Sequence, residues 1–242
     1  MGVKSIKYKR IIFWSSLTIG LLAVIITIIT INSTPLKPCV SLAVIDRPTV
    51  IIDAGHGGID GGAVSTDGAL EADINLLIRV KLYDLMRFLG VDAIMTRTDD
   101  GSLAYNAEQS IRDNKNADLK ARLALASENP ECDFLSVHLN HFEQSQYYGA
   151  QVFYSPNNPL SSVLAECIQN SFVTYVDPTN HRTEKQSHES IYLMKHIKSP
   201  AVTIECGFLS NPNEAKLLCS DSYQTHIGIA IAKGYLDYIK ER

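Results

Sequence analysis

An uninterrupted apolar stretch near the N-terminus constrains this chain more than any other feature. Ile11 to Ile31 reads IIFWSSLTIGLLAVIITIITI, which contains no charged residue and no proline. About 20 apolar residues in a helix are enough to span the hydrocarbon core of a bilayer. Four basic residues and no acidic one precede the stretch in residues 1–10, and this excess orients the N-terminus toward the cytoplasm. We therefore predict a cytoplasmic basic segment at 1–10 and a transmembrane signal anchor at 11–31.

A cleaved signal peptide and a buried core helix are the alternatives for this stretch. Signal peptides have a shorter apolar region, about 7–15 residues, that ends at a small-x-small site, whereas Ser41-Leu42-Ala43 is a poor and distant candidate. A core helix of this kind would need burial on all sides within a small domain. The prolines of residues 32–48 predict a linker, and residues 49–242 are expected to form one folded domain on the extracytoplasmic side of the membrane.

The part of the chain that follows the apolar stretch is acidic. Residues 1–10 contribute +4 to a whole-chain net charge of −4, so the remainder has a net charge of −8. Nucleic-acid binding requires a basic surface, and we therefore expect no nucleic-acid partner. The five cysteines form no CxxC pair and no recognisable disulfide framework. We predict that Cys132, Cys167 and Cys206 are buried free thiols.

Strand-like and helix-like segments alternate along residues 49–242. The predicted strands are 49–53, 91–96, 133–137, 150–154, Ser190–Met194 and 201–205. The predicted helices are 70–89, 118–128, 159–176, 212–218 and 223–240, and polar loops are predicted at 97–116 and 177–189. This alternation predicts an α/β fold, with a mostly parallel mixed sheet of about six strands and helices on both of its faces.

Three ionisable side chains follow or end predicted strands, where α/β folds place their ligand sites. His56 follows the first strand in a glycine-rich loop, His138 ends the third strand, and Glu205 ends an apolar strand. A lone histidine at such a position is more often structural than a ligand. The glycine-rich loop lacks both the Lys-Ser/Thr of a P-loop and the GxGxxG spacing. A buried carboxylate is costly unless paired or metal-bound, and burial raises its pKa toward that of a general base.

Two histidines and a carboxylate form a common catalytic zinc site, in which a nearby glutamate can take a proton from water. A zinc hydrolase is therefore the hypothesis that these residue types favour. The chain has no HExxH and no GxSxG motif, which excludes the helical metalloproteases and makes a serine hydrolase a poor fit. Glu71 and Asp73 open a predicted helix, where the helix dipole alone favours acidic residues.

Five short motifs occur in the order in which a known enzyme family carries them. They are Asp53-Ala54-Gly55-His56-Gly57-Gly58, Glu71 ahead of Asn75-Leu76, Thr96-Arg97-Thr98-Asp99, Ser136-Val137-His138-Leu139-Asn140 and Glu205-Cys206-Gly207-Phe208-Leu209-Ser210-Asn211. With them, residues 49–242 resemble the zinc-dependent N-acetylmuramoyl-L-alanine amidases of bacterial cell walls. The single anchor, the lack of wall-binding repeats and the stretch 148–156 resemble the germination-specific amidases of spore formers.

The resemblance implies a specific site and substrate. Zinc would be held by His56, Glu71 and His138, with Glu205 as the catalytic carboxylate, and Asn140 and Arg97 are expected to contact substrate. The implied reaction cleaves peptidoglycan between the muramic lactyl group and the first L-Ala of the stem, in making muramic-δ-lactam of spore cortex for germination. An accessory protein is an expected partner. A zinc peptidase acting elsewhere in the stem and a non-catalytic wall-binding module are the alternatives.

Overall fold

The computed structural model describes residues 49–242, which hold six strands and six helices. The strands are β1 (Val50–Ala54), β2 (Ala93–Met95), β3 (Asp133–Asn140), β4 (Gln151–Tyr154), β5 (Lys185–Gln186) and β6 (Ala201–Phe208). The helices are α1 (Glu71–Phe88), α2 (Ile111–Glu128), α3 (Leu160–Tyr175), α4 (Tyr192–His196), α5 (Pro212–Leu218) and α6 (Asp221–Glu241). The predicted basic segment 1–10, anchor 11–31 and linker 32–48 lie outside the described residues. Within 49–242, no helix is long and apolar enough to cross a membrane.

All six strands form one mixed sheet in the order β2-β1-β3-β6-β4-β5. Strands β2, β1, β3 and β6 run parallel to one another, as the alternation of strands and helices predicts. Strand β4 is antiparallel to β6, and β5 runs in the same direction as β4. The carboxyl ends of β1, β3 and β6 therefore meet the amino ends of β4 and β5 at the same end of the sheet.

Helices cover both faces of this sheet, as predicted. Ile52, Val137 and Ile204 belong to a large core with α1, α3 and α6. Their sequence neighbours point the other way, because successive side chains of a strand alternate between faces. On that second face, Ile51 and Phe134 near the amino ends of their strands pack against α2 and α4. Closer to the carboxyl ends, the same alternation puts polar residues on this face, and these include the predicted site residues.

Two element assignments made from sequence are wrong. Ser190–Met194 is not a strand, because the chain forms the short helix α4 there, with Leu193 and Met194 both buried. Adjacent buried side chains fit one turn of a helix lying on a sheet, whereas in a strand they would point to opposite faces. The fifth strand is instead β5, inside the predicted polar loop 177–189. Its two residues are both exposed, so no apolar alternation marks it.

Capping residues explain the helix boundaries. Helix α2 begins at Ile111 rather than at 118, because the Ser110 side chain accepts a hydrogen bond from the Asp113 backbone N–H and caps the helix. Its first turns are polar and mostly exposed, so hydrophobic periodicity does not reveal them. The predicted stop at Gly90 is confirmed by its φ of 79°. The predicted cap at Asn211 is confirmed by its hydrogen bonds from Asn213 and Glu214 N–H groups.

Candidate metal centre and active site

His56 lies just after β1 in a sharply turned loop. Its φ of 61° is the only positive value among the non-glycine residues from 49 to 242. Gly57 and Gly58 follow with φ of 132° and 59°, a region that glycine enters without steric cost. Two backbone hydrogen bonds close the loop, from Gly57 N–H to Asp60 O (2.8 Å) and from Asp60 N–H to Gly57 O (3.1 Å). This geometry is what the glycine-rich motif provides.

His56, Glu71 and His138 come together at this end of the sheet, as predicted. One potential ligand atom from each lies within 4.8 Å of the other two. Glu71 Oε1 is 3.3 Å from His56 Nε2 and 3.0 Å from His138 Nδ1. The imidazole rings meet edge to face, with centroids 5.0 Å apart. Two imidazoles and a carboxylate that converge in this way form a donor set suited to a divalent transition metal.

Backbone amides hold the Glu71 carboxylate in this position. Oε1 accepts the Leu139 N–H at 3.0 Å, and Oε2 accepts the Ala63 N–H at 2.9 Å. Burial raises the pKa of Glu71, but the hydrogen bonds and charges of His138 and His56 outweigh it and hold the pKa well below its usual range. Asp73, the other acid of the first turn, is exposed. The helix dipole therefore explains the presence of an acidic residue at position 73, whereas Glu71 belongs to the cluster with the two histidines.

Asp60 orients His56 and is absent from the residues predicted from sequence. Its Oδ2 is 3.0 Å from His56 Nδ1, and its Oδ1 is 2.7 Å from Lys115 Nζ on α2. With Nδ1 donating to a carboxylate, Nε2 is free to face Glu71 and a metal. Burial lowers the pKa of His56, but the bonds to Asp60 and Glu71 prevail and raise it to about 9. The sequence feature that points to this role is the position of Asp60, an acidic residue four positions after His56 in the same loop.

Glu205 lies beside the cluster, on β6 directly opposite His138 of β3. Its Oε2 atom is shielded from solvent and has no hydrogen-bond partner among residues 49–242. Burial raises the pKa of Glu205 to about 7, with His138 opposing the rise and the Glu71 carboxylate adding to it. A carboxyl group with an unpaired oxygen and a pKa near neutrality can accept a proton and return it.

Buried charges support the strand ends beneath the cluster. Asp53 pairs with Arg122 of α2 and accepts hydrogen bonds from Ser136 Oγ (2.5 Å) and Thr96 Oγ1 (2.7 Å). Burial raises the pKa of Asp53, but Arg122 and the two hydroxyls lower it below its usual range. Arg122 also donates to the His56 carbonyl at 2.6 Å. The aspartate that opens the first motif therefore anchors the loop that carries His56.

The two predicted substrate contacts differ in their surroundings. Arg97 is buried, and its guanidinium donates to four backbone carbonyls, those of Ala54, Gly55, Ala72 and Asp99. These bonds join β1 to α1, and the substrate contact predicted for Arg97 stays a prediction. Asn140 is the last residue of β3, partly exposed and just past an irregularity in the β3–β6 register. Its contact with substrate stays a prediction.

A cavity of about 170 Å³ adjoins the two histidines. Asp60, Lys115 and Leu193 line it together with His56 and His138. The cluster of His56, Glu71 and His138 therefore borders open space on the face of the sheet that α2 and α4 cover only in part.

Comparison with known proteins identifies the domain. The family model for N-acetylmuramoyl-L-alanine amidases matches residues 50–237, which is most of the chain. The chain belongs to the N-acetylmuramoyl-L-alanine amidase family. This amidase is 36% identical over 193 residues to the germination-specific N-acetylmuramoyl-L-alanine amidase of Bacillus subtilis, an alignment that covers 80% of each protein.

Solved structures of related amidases have the same fold. The CwlD amidase of Clostridioides difficile, determined in complex with the GerS lipoprotein, is 45% identical to this amidase, with a TM-score of 0.78. That match covers 81% of this chain and all of the other. An N-acetylmuramoyl-L-alanine amidase from Clostridium difficile 630 is 28% identical, with a TM-score of 0.70, over 81% of this chain and 98% of the other. The resemblance inferred from the five motifs is confirmed.

Proposed function

We propose that this amidase is a zinc hydrolase that cleaves the amide between the lactyl group of N-acetylmuramic acid and the first L-Ala of the peptidoglycan stem. The observation that carries the proposal is the position of Glu205, whose unpaired oxygen lies beside a cluster of two histidines and a glutamate. Zinc suits that cluster because zinc binds histidine nitrogens and carboxylate oxygens, and a catalytic zinc site needs only three ligands from the protein. The family and its named relatives supply the substrate.

The residues of the site have distinct tasks in this reaction. Zinc, when bound, acts as a Lewis acid toward the amide carbonyl and makes water easier to deprotonate. Glu205 accepts the proton of the attacking water and passes it to the amide nitrogen as the carbon–nitrogen bond breaks. The products are a free lactyl carboxylate on the glycan and a peptide with a free N-terminal L-Ala. Asp60 keeps His56 in its orientation, and the Leu139 and Ala63 amides keep Glu71 in place.

Digestion of purified peptidoglycan tests this function. The full-length protein, purified in detergent and supplied with zinc, should release stem peptides that begin with L-Ala and leave glycan strands with free lactyl groups, both detectable by mass spectrometry. Glu205→Gln should release neither product. Cleavage inside the stem would favour a zinc peptidase, and binding of the wild type to the wall without any product would favour a wall-binding module.

We also propose that the reaction contributes to muramic-δ-lactam in spore cortex. This is supported by the similarity to the germination-specific amidase of Bacillus subtilis and to CwlD. The test is complementation of a spore former that lacks its germination-specific amidase. Cortex muramic-δ-lactam should return with the wild-type gene and not with Glu205→Gln. Absence of lactam with an expressed, active wild-type enzyme would contradict the cortex role.

Membrane anchoring and an accessory protein complete the proposal. Segment 11–31 anchors the amidase, with residues 49–242 facing the cell wall, or the forespore surface in a spore former. Protease added to intact protoplasts should therefore degrade this region, and protection of it would contradict the orientation. The GerS lipoprotein bound to CwlD supports a comparable partner here. Affinity purification of the chain from sporulating cells should recover such a protein, and recovery of the amidase alone would argue against it.

A further inference from the structure

Arg182 is joined through Gln151 to the pair of strands that holds Glu205, on the antiparallel side of the sheet. Gln151, the first residue of β4, pairs with Glu205 across the β4–β6 ladder. Paired residues of antiparallel strands point to the same face, with Cβ atoms about 5 Å apart. The Gln151 Oε1 atom accepts a hydrogen bond from Arg182 Nη1 at 3.0 Å. Arg182 is therefore bonded to the residue that stands opposite the proposed general base in the ladder.

Neutral groups hold the Arg182 guanidinium in place. Nε donates to the Tyr148 carbonyl at 2.8 Å, and Nη1 donates to Gln151. The guanidinium carbon lies 4.5 Å from the centroid of the Phe208 ring, so the cation stacks on an aromatic face. Because these contacts order the side chain in advance, a ligand that binds it loses less conformational entropy on binding.

Arg182 has no acidic partner of its own in the range 49–242. It takes part in none of the ion pairs found there. Glu214 is near enough to feel its charge, but the two Glu214 oxygens accept the backbone N–H groups of Gly149 and Phe208. Arg182 is partly exposed, and its Nη2 group makes no hydrogen bond to the described part of the chain. A guanidinium with a free donor edge in an acidic protein is suited to binding a carboxylate from outside.

The chemistry of the substrate indicates which carboxylate binds Arg182. This inference rests on the proposed function. The carboxyl group of N-acetylmuramic acid is consumed in the scissile amide, and the N-acetylated sugars carry no other acid. Free carboxylates of the uncut substrate therefore lie on the peptide. We propose that Arg182 binds the α-carboxylate of the γ-linked glutamic acid that follows L-Ala in the stem peptide, and so aligns the scissile amide with Glu205.

Two substrates that differ in one group test the proposal. Both are disaccharide peptides with L-Ala followed by γ-linked glutamic acid, whose α-carboxyl group is free in one and a carboxamide in the other. For the full-length protein with zinc, kcat/KM should be about 10- to 100-fold higher for the free carboxylate, mainly through KM, as a charge-assisted hydrogen bond provides. Arg182→Gln should lose this preference and keep its cleavage of the carboxamide peptide.

Two further variants separate charge from structure. Arg182→Lys keeps the charge but loses the planar donor edge, and it should show an intermediate preference. Arg87→Gln is the matched control, because Arg87 pairs with Asp92 beyond the end of α1, and it should keep the wild-type preference. The unfolding temperature of each variant reports whether the domain as a whole keeps its stability.

The outcomes separate this inference from the proposed function. Equal kcat/KM for the two peptides in the wild type would overturn the role of Arg182 and leave the amidase function standing. Failure of the wild type to release L-Ala peptides from either substrate would overturn both. If Arg182→Gln lost both activities in equal proportion, Arg182 would be a structural residue and the inference would be wrong.

Discussion

Glu205 of β6 stands directly opposite His138 of β3, and the two side chains share the face of the sheet that carries the metal-ligand cluster. The strands that carry them are paired from Phe134 and Ala201 onward. Backbone hydrogen bonds of a buried parallel ladder therefore fix the spacing between the proposed base and a proposed metal ligand. Such positioning within a sheet is more precise than positioning by two loops.

Glu205→Gln should remove turnover and leave the metal site intact. Glutamine has the same size but cannot accept the proton, and loss of a general base costs about 10²–10⁴ in rate. Zinc content of the folded variant, measured by atomic absorption, should equal that of the wild type. A loss of less than about tenfold per zinc-loaded molecule, about 1.4 kcal/mol, would assign proton transfer to another group, and His141, which is exposed just beyond β3, would be tested next.

Glu71→Gln and His138→Ala should lose zinc together with activity. Each removes one of three ligands, which should weaken zinc binding more than the roughly 10–100-fold that loss of a group supporting a ligand costs. Matched controls are Asp73→Asn, the exposed acid of the same helical turn, and His226→Ala, an exposed histidine of α6. Unchanged zinc content in both ligand variants would reject the site.

Asp60→Asn should weaken zinc binding without removing a ligand. Asparagine accepts a weaker hydrogen bond from His56 Nδ1 and no longer attracts Lys115, so zinc affinity should fall about 10–100-fold. Competition with a chromophoric chelator measures this directly. Lys115→Met should have a smaller effect in the same direction. The control is Asp67→Asn, which changes an exposed acid of the same loop and should leave zinc affinity unchanged. If Asp60→Asn bound zinc as tightly as the wild type, Asp60 would not orient His56 for metal binding.

The Asp53–Arg122 pair should make stability depend on acid pH. Because the folded pKa of Asp53 lies below its usual value, its contribution is present above about pH 4 and is lost as the pH falls toward the lowered pKa. Asp53→Asn should cost about 3 kcal/mol at neutral pH, since Arg122 loses a buried partner. Guanidinium unfolding curves should show that the difference in free energy of unfolding between the wild type and Asp53→Asn becomes smaller below about pH 4. A constant difference across that range would contradict the ion-pair explanation.

Thiol reactivity should follow burial. Cys132, Cys167 and Cys206 are buried, and Cys219 is exposed. Burial raises the pKa of Cys132 and of Cys167 to about 11, and it raises the pKa of Cys206 as well. Iodoacetamide at about pH 8 should therefore label only Cys219 among these four in the folded protein, because the thiolate is the reactive form. Mass spectrometry of tryptic peptides measures this, and labelling of Cys206 would contradict its burial.

The sequence predicts those parts of the site that depend on strand ends. His56, His138 and Glu205 follow or end apolar strands, and parallel strands bring their carboxyl ends together. Glu71 required the family resemblance, because the helix dipole explains an acid in the first turn equally well. Asp60 and Arg182 required the structure, because their roles depend on how two irregular loops close. The same holds for α4 and β5, whose short lengths leave no periodic pattern.

The reversal of strand direction between β6 and β4 divides the rim of the site into two parts that can diversify separately. The proposed metal ligands and Glu205 lie at the parallel part, where loss of one residue is expected to abolish the proposed hydrolysis. The antiparallel part presents the loops that lead into β4 and β5, and these carry Tyr148 and Arg182. We therefore expect that exchange of these two loops between relatives transfers the preference for a particular stem peptide and leaves the residues of the hydrolytic site unchanged.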